Sequence, residues 1–201
     1  MSEHIVKTTS GRIIEDPPLI RTLFGDTRFA AVWTVIRVLI GISWLTAGWA
    51  KLNEAGWMQT GASLQGYWAG AVAIPATGHP AITFDWYRSF IQGMLDSGSY
   101  VWFAKLVACG EFLVGVALIV GAFVGIVAFL AALMNWSYIM AGSTSTNPLL
   151  LIGAIALILA WKTAGYYGLD RYLLPRLGTP WALGKAETSA STVPQTSSIT
   201  A

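Results

Sequence analysis

The sequence predicts an all-α fold, a four-transmembrane-helix bundle with interfacial helices in a long outer loop. Its composition is the first reason. Only 11% of the 201 residues are charged, against about 25% in ordinary soluble domains. Apolar residues make up 55% and the mean hydropathy is +0.59. A soluble domain of this size has too much surface for its volume to bury so many apolar side chains. We therefore expect the excess to face lipid.

The second reason is the spacing of the apolar segments. Each approaches the roughly 20 residues that cross about 30 Å of hydrocarbon. Residues 100–141 are apolar throughout and long enough to cross twice, so we expect a tight hairpin near Gly121 and Gly125. The four predicted transmembrane helices are 29–50, 100–120, 122–141 and 148–167.

The charged flanks predict the orientation. Lys and Arg are concentrated in the N-terminal arm, 1–28, and in the C-terminal region, whereas the loop 51–99 has only Lys51 and Arg88. Cytoplasmic flanks carry the excess of Lys and Arg. Both termini are therefore predicted to be cytoplasmic, in the cytoplasmic membrane of a bacterium or an archaeon. The membrane domain is predicted to span 29–171. The tail 172–201 is rich in Ser and Thr, and we expect disorder from about 188.

The long outer loop has a helical pattern of its own. Residues 61–74 are apolar but too short to span a bilayer, and Phe84, Tyr87, Ile91 and Met94 recur at helical spacing. We expect two helices lying in the membrane interface. A loosely ordered loop is the alternative.

Two charges within the predicted spans stand on faces of small residues. Arg37 begins the face Arg37, Gly41, Trp44, Gly48 and Lys51, and Glu111 lies on the face Ala104, Ala108, Glu111, Gly115 and Leu118. At about 1.5 Å per residue, Arg37 lies roughly 21 Å and Glu111 roughly 17 Å below the outer surface. An unpaired charge at that depth costs several kcal/mol. We therefore predict an Arg37–Glu111 ion pair, which is also the candidate catalytic pair.

Other polar and aromatic groups at membrane depth complete the predicted site. Lys105 either snorkels outward or joins Lys51 in a cationic outer mouth that attracts an anionic substrate. Asn135 either hydrogen-bonds a neighbouring helix or contacts a ligand. Trp44 and Trp136 lie deeper than the other tryptophans, which are expected to anchor helices at the interfaces. These two indoles are candidate walls for a flat aromatic ligand such as a quinone ring.

Several site classes are disfavoured by composition. The single cysteine, Cys109, excludes a disulfide framework and a cysteine-ligated cluster. The two histidines, His4 and His79, are far apart, so we predict no metal centre. The net charge of +2 is divided between the two ends, so the chain lacks the clustered basic surface of a nucleic-acid-binding protein.

The ordered motifs resemble a known family. The first helix contains R37-x-L39-I-G41-x-x-W-L-x-x-G48-x-x-K51, the second contains K105-x5-E111-x3-G115-x5-G121, and the fourth ends in G165-Y-Y-G168-L-D170-R171. This set resembles the DoxX family and is also similar to the DoxD small subunit of thiosulfate:quinone oxidoreductase. The resemblance covers roughly 29–171.

The resemblance implies a four-helix membrane bundle associated with quinone-linked redox chemistry, with quinone as the cofactor and other subunits as partners. A sulfur compound is one candidate reductant. Whether the chain is itself an enzyme stays open, because the alternative is a non-catalytic accessory subunit of a larger respiratory or photosynthetic complex. A small transporter is disfavoured because the sequence shows no inverted repeat.

Overall fold

The computed structural model describes residues 17–177, together with the backbone of two short strands, β1 (Val6–Lys7) and β2 (Ile13–Ile14). The two strands pair antiparallel. Between residues 17 and 177 the regular structure is helical, which confirms the all-α class. The predicted disordered tail lies outside the described residues. The helices are α1 (Pro18–Gly25), α2 (Ala30–Leu52), α3 (Ala55–Met58), α4 (Ala62–Val72), α5 (Asp85–Asp96), α6 (Tyr100–Val120), α7 (Val124–Met140), α8 (Asn147–Leu159), α9 (Trp161–Ala164) and α10 (Asp170–Arg176).

Four long helices form the body of the molecule. Helix α2 packs along α6 and against α8, and α7 packs against α6 and α8. The core between them is built from small side chains and a few large ones, with Trp44 and Leu118 fully enclosed among buried alanines. Such small residues allow helices to approach closely.

The shorter helices cover the two ends of this bundle. At one end, α3, α4 and α5 pack on the start of α6 and the end of α7. These helices lie in the segment where the sequence predicts two. At the other end, α1 packs on α9, and the Thr163 hydroxyl donates to the Phe24 carbonyl at 3.0 Å. The Trp33 indole donates to Leu23 at 2.7 Å, so α1 is fixed to α2 as well.

Among the described residues, two helical segments are long and apolar enough to cross a membrane. They are Thr27–Leu52, with a mean hydropathy of 1.7, and Tyr100–Val120, with a mean hydropathy of 2.1. Helices α7 and α8 are apolar but shorter, with 17 and 13 residues. The fourth predicted span, 148–167, is interrupted at Ala160, where α8 ends and α9 follows.

Candidate functional site: a buried carboxylate between three helices

Helices α2 and α6 meet backbone to backbone. A Cβ added at Gly115 would strike the backbone of Leu45, and one added at Gly48 would lie 2.9 Å from the Glu111 carbonyl carbon. No larger residue fits either position without moving a helix. The glycines that the sequence places on these two faces therefore set the helix separation and fix which residues lie level across the interface.

Glu111 is held by side chains from two other helices. Its exposed fraction is 2%. The Lys51 ammonium of α2 donates to Oε2 at 2.6 Å, and the Tyr138 hydroxyl of α7 donates to Oε1 at 2.6 Å. Lys51 is itself 20% exposed and lies 5.1 Å from the centre of the Trp57 ring. A carboxylate with both oxygens occupied by donors is far less costly to bury than a free one.

The predicted Arg37–Glu111 pair is wrong. The Arg37 guanidinium donates instead to backbone carbonyls: Leu118, Ile119 at 3.2 Å and Tyr167 at 3.1 Å. The register explains the error, since Gly48 lies level with Glu111 and Gly41 lies level with Ile119. Arg37 is one turn beyond Gly41, so it reaches the end of α6, whereas Lys51 is one turn from Gly48 and reaches Glu111.

Arg37 and Asp170 stabilise the turn between α6 and α7. Helix C-termini expose carbonyls and attract cations, and helix N-termini expose amides and attract carboxylates. Arg37 lies at the C-terminus of α6 and donates to its last carbonyls. The fully buried Asp170 lies at the N-terminus of α7 and accepts from the amides of Phe123 and Val124, the latter at 2.9 Å. Burial nevertheless raises the pKa of Asp170, since the desolvation of its carboxylate outweighs these hydrogen bonds.

The same turn requires two glycines. Gly121 has a φ of 71°, and its Cα lies 2.8 Å from where a Cβ would stand on Gly168. The chain that follows α9 thus passes directly over the turn, with the Leu169 amide donating to Val120 at 3.1 Å and the Asp170 amide donating to Gly121 at 2.9 Å. The motif at the end of the fourth predicted helix therefore packs over the turn that joins α6 and α7 and fixes these two helices relative to each other.

Two polar side chains in the interior lack partners. Asn135 is fully buried and Trp44 is 3% exposed. Among the described residues, neither amide atom of Asn135 nor the Trp44 Nε1 has a hydrogen-bond partner. Asn135 stands one turn from Tyr138 on α7, and Trp44 stands two turns from Lys51 on α2. A buried donor or acceptor left unpaired costs about 1–3 kcal/mol.

Two other predicted site residues lie elsewhere. Trp136 is 41% exposed, and its ring packs 6.1 Å from that of Tyr87 on α5. It therefore does not line the bundle interior with Trp44. Lys105 is exposed on α6, while Lys51 is bound to Glu111. The charge of Lys51 is therefore matched within the bundle, whereas Lys105 presents its charge at the surface.

The end of the site nearer the start of α6 is covered by α4 and α5. The Tyr67 hydroxyl donates to the Tyr138 carbonyl at 3.4 Å, and the Tyr87 hydroxyl donates to the Ser137 carbonyl at 3.0 Å. Burial raises the pKa of both phenols, so both stay protonated donors at neutral pH. These contacts fix the cover to the last turn of α7, next to the residue that binds Glu111.

Sequence reasoning assigned no role to Tyr138 and Asp170. Tyr138 shares a helical face with Asn135, and that spacing was the signal for it. Asp170 caps a helix that begins 46 residues before it, so no local capping pattern points to it. No family model matches the chain, and no curated protein or solved structure matches it significantly.

Proposed function

We propose that the chain is an integral membrane protein in which α2, α6, α7 and the α8–α9 pair each cross the bilayer. Large apolar side chains on the outside of all four support this placement. They include Leu39 at 60% exposed, Leu113 at 62%, Ile126 at 64% and Ile152 at 65%. A continuous apolar surface of this kind is unfavourable in water and favourable against lipid.

The break at Ala160 is compatible with a fourth crossing. The Ala160 amide donates to Ala156 at 2.9 Å and the Ala164 amide donates to Ala160 at 2.7 Å, so hydrogen bonding continues through the break. Residues 147–164 rise about 27 Å at 1.5 Å each. This length is close to the hydrocarbon thickness of a bilayer.

The distribution of charge supports cytoplasmic termini. In the described part of the chain, five basic side chains belong to the end formed by α1, α9 and α10: Arg21, Arg28, Lys162, Arg171 and Arg176. The opposite end holds Lys51, Arg88 and Lys105, of which the first two are paired with carboxylates. The positive-inside rule then places α1 and α10 on the cytoplasmic side.

Within this bundle we propose a site for a quinone head group beside Glu111, lined by Trp44 and Asn135. The observation that carries it is the set of unpaired polar atoms on these two buried side chains. The indole N–H is a donor, and the amide has both a donor and an acceptor. These groups fit a ligand whose ring oxygens accept hydrogen bonds in the oxidised state and donate them in the reduced state. A quinone supplies reversible two-electron, two-proton chemistry of that kind.

The chain contributes hydrogen-bonding groups and a buried carboxylate. Trp44 and Asn135 orient the ring oxygen, since each lacks another partner. Glu111 Oε1 accepts from Tyr138, and Oε2 accepts from the partly exposed Lys51. The carboxylate therefore has hydrogen-bonded neighbours toward both the interior and the outer surface.

A partner subunit is part of the proposal. Electrons must come from elsewhere, because the proposed site consists of ordinary side chains. We propose a partner that oxidises a small reductant, with a sulfur compound as one class, and delivers electrons to the quinone held here.

An accessory role without catalysis is the second candidate. The capping of the α6–α7 turn by Arg37 and Asp170 favours this accessory role, because both charges fix helix ends within the fold. In that case Lys51, Glu111 and Tyr138 lock three helices in register. The interior polar atoms would then contact water rather than a ligand.

Titration with a short-tailed benzoquinone separates the two candidates. Its binding to detergent-solubilised protein is measured for the wild type and for Trp44→Phe and Asn135→Leu. The matched control is Thr46→Val, since Thr46 lies on the exposed side of α2. We expect about tenfold weaker binding for each loss of one hydrogen bond and an unchanged affinity for the control. Equal affinity in all variants would contradict the quinone site and favour the accessory role.

A further inference from the structure

One flexible side chain closes the contact between Gly110 of α6 and Met134 of α7, which we call the α6–α7 seam. Apart from its own helix, a Cβ added at Gly110 would meet only the end of the Met134 side chain among the described residues, 3.8 Å from Cε and 3.9 Å from Sδ. The contact between α2 and α6 is far tighter, since a Cβ added at Gly48 would lie 2.7 Å from Cα of Phe112. A side chain, rather than backbone, therefore fills the space between α6 and α7 at this level.

The α6–α7 seam lies directly beside the polar groups of the interior. Gly110 precedes Glu111 on α6, and Met134 precedes Asn135 on α7. Glu111 and Asn135 are buried, and both amide atoms of Asn135 lack a partner among the described residues. Gly110 and Met134 are only half-buried. A single residue along each helix thus separates the proposed site from the outside of the bundle.

The outside of the α6–α7 seam is apolar. Leu106 and Leu113 lie one turn on either side of Gly110, and both are exposed. Leu130 lies one turn before Met134 and is exposed as well. In the membrane placement proposed above, these leucines face hydrocarbon. A molecule that enters at the seam therefore passes from lipid to the interior without crossing water.

The Met134 side chain suits a contact that opens. It is unbranched and rotates about three bonds, so it can leave the seam while both helices stay in place. The contact between α2 and α8 differs, because Ile40 closes it, with Cδ1 2.6 Å from where a Cβ would stand on Gly153. A β-branched side chain is restricted about its first bond. Of these two contacts, the α6–α7 seam is therefore the easier one to open.

We propose that the quinone beside Glu111 carries a hydrocarbon tail, and that this tail leaves the bundle between Gly110 and Met134. The ring oxygens meet Trp44 and Asn135, and the tail crosses the seam into lipid. A hydrocarbon tail fits because the seam offers carbon and thioether contacts, where a polar chain would lose its hydrogen bonds. This inference rests on the proposed quinone site and names the class of quinone that the site takes.

Protection from crosslinking tests the path of the tail in the full chain. Gly110→Cys and Met134→Cys are combined in a Cys109→Ala background, because Cys109 is exposed beside them. A short bis-methanethiosulfonate reagent then links the two thiols in detergent-solubilised protein, alone, with tetramethylbenzoquinone or with trimethyl-decyl-benzoquinone. Both rings are fully substituted, so neither quinone adds to thiols. We expect the tailed quinone to slow crosslinking several-fold and the tail-less quinone to leave the rate unchanged.

The matched control is the pair Ile40→Cys and Gly153→Cys in the same background, which links α2 to α8. Neither quinone should slow its crosslinking. Protection of this control pair instead would overturn the inference, as would binding of the tailed quinone without protection of the α6–α7 pair, and both results would leave the quinone site intact. Failure of the wild type to bind either quinone would overturn the site and the inference together.

A second variant avoids introduced thiols. Met134→Trp fills the α6–α7 seam and should weaken binding of the tailed quinone at least about threefold, the effect of one methylene group removed from contact. The affinity for tetramethylbenzoquinone should stay unchanged. Leu133→Trp is the control, because Leu133 lies on the exposed side of α7, and it should alter neither affinity. Equal losses for both quinones in Met134→Trp would contradict a tail at the seam.

Discussion

Arg37 and Asp170 cap opposite sides of one turn. Arg37 donates to the carbonyls that end α6, and Asp170 accepts from the amides that begin α7. The two residues are far apart in sequence and come from different helices. Together they tie α2 and α10 to the α6–α7 hairpin.

Removal of Arg37 should be strongly destabilising. Arg37→Met leaves three backbone carbonyls without their donor, and each buried acceptor left unpaired costs about 1–3 kcal/mol. The measurement is thermal unfolding in detergent. Arg28→Gln is the control, because the Arg28 side chain is 78% exposed and its exposed pair contributes little. Similar melting temperatures for Arg37→Met and the wild type would argue against a capping role.

Gly121 should tolerate no side chain. Its φ is 71°, and a Cβ would lie 2.8 Å from Cζ of Arg37. Gly121→Ala should therefore lower stability by at least about 1 kcal/mol and displace Arg37. Gly66→Ala is the control, because nothing lies within 4 Å of its Cβ and a helical Gly→Ala change usually stabilises. Gly121→Ala should lower the melting temperature and Gly66→Ala should raise it. A change of the same sign in both variants would contradict the close packing of Arg37 against Gly121.

Asp170 should make stability depend on pH. Its pKa in the folded protein is raised above 3.8 by burial, so the folded state binds this proton more tightly than the unfolded state. Its contribution to stability therefore increases as pH falls from the raised pKa toward 3.8 and is constant at higher pH. Asp170→Asn lacks this titration. The stability difference between the wild type and Asp170→Asn should shift in favour of the wild type on acidification, and a shift in the opposite direction would contradict the burial argument.

Lys51 and Glu111 should be energetically coupled. Lys51→Met leaves the buried carboxylate with one donor, which we expect to cost about 3 kcal/mol or more. Adding Glu111→Gln removes the unpaired charge and should restore most of that loss. A double-mutant cycle in detergent measures the coupling. Strictly additive effects would show that the ion pair contributes nothing to folding.

The membrane placement predicts a labelling pattern. In a Cys109→Ala background, Ser97→Cys in the outer loop should react with an impermeant maleimide applied to intact cells. Thr27→Cys should react only after the membrane is opened, and Leu113→Cys should stay protected by lipid. Labelling of Thr27→Cys and Ser97→Cys from the same side would contradict four crossings.

Composition and helical periodicity suffice for much of the fold. Apolar length locates α2 and α6, and small residues at helical spacing locate the faces that pack. The site was harder to predict. Depth estimated from segment ends placed Arg37 level with Glu111, although the glycine contacts shift α2 along α6 until Lys51 reaches the carboxylate instead. The predicted bounds of both helices agree with the observed ones within two residues, so the error lies in the assumption that their ends are level. The stagger between α2 and α6 places Lys51, about four turns from Arg37, beside the carboxylate.

Other features of the site depend on contacts between residues that are distant in sequence, which no local sequence pattern predicts. Asp170 caps a helix from a distant segment, and Trp136 faces α5 because the loop folds back over the bundle. By contrast, the buried position of Trp44 follows from the face of small residues on which it lies, and Asn135 likewise shares its helical face with Ala128 and Ala131. Their missing partners become visible only once every neighbour is placed.

We propose above all that the interior beside Glu111 holds a quinone. Native mass spectrometry of the full chain, gently extracted from its own membrane, tests it most directly because bound molecules and partner subunits are weighed together. We expect a quinone retained by the wild type and lost from Asn135→Leu, with a redox subunit attached to both. A large assembly in which the wild-type chain carries no quinone would contradict the claim and establish the accessory role.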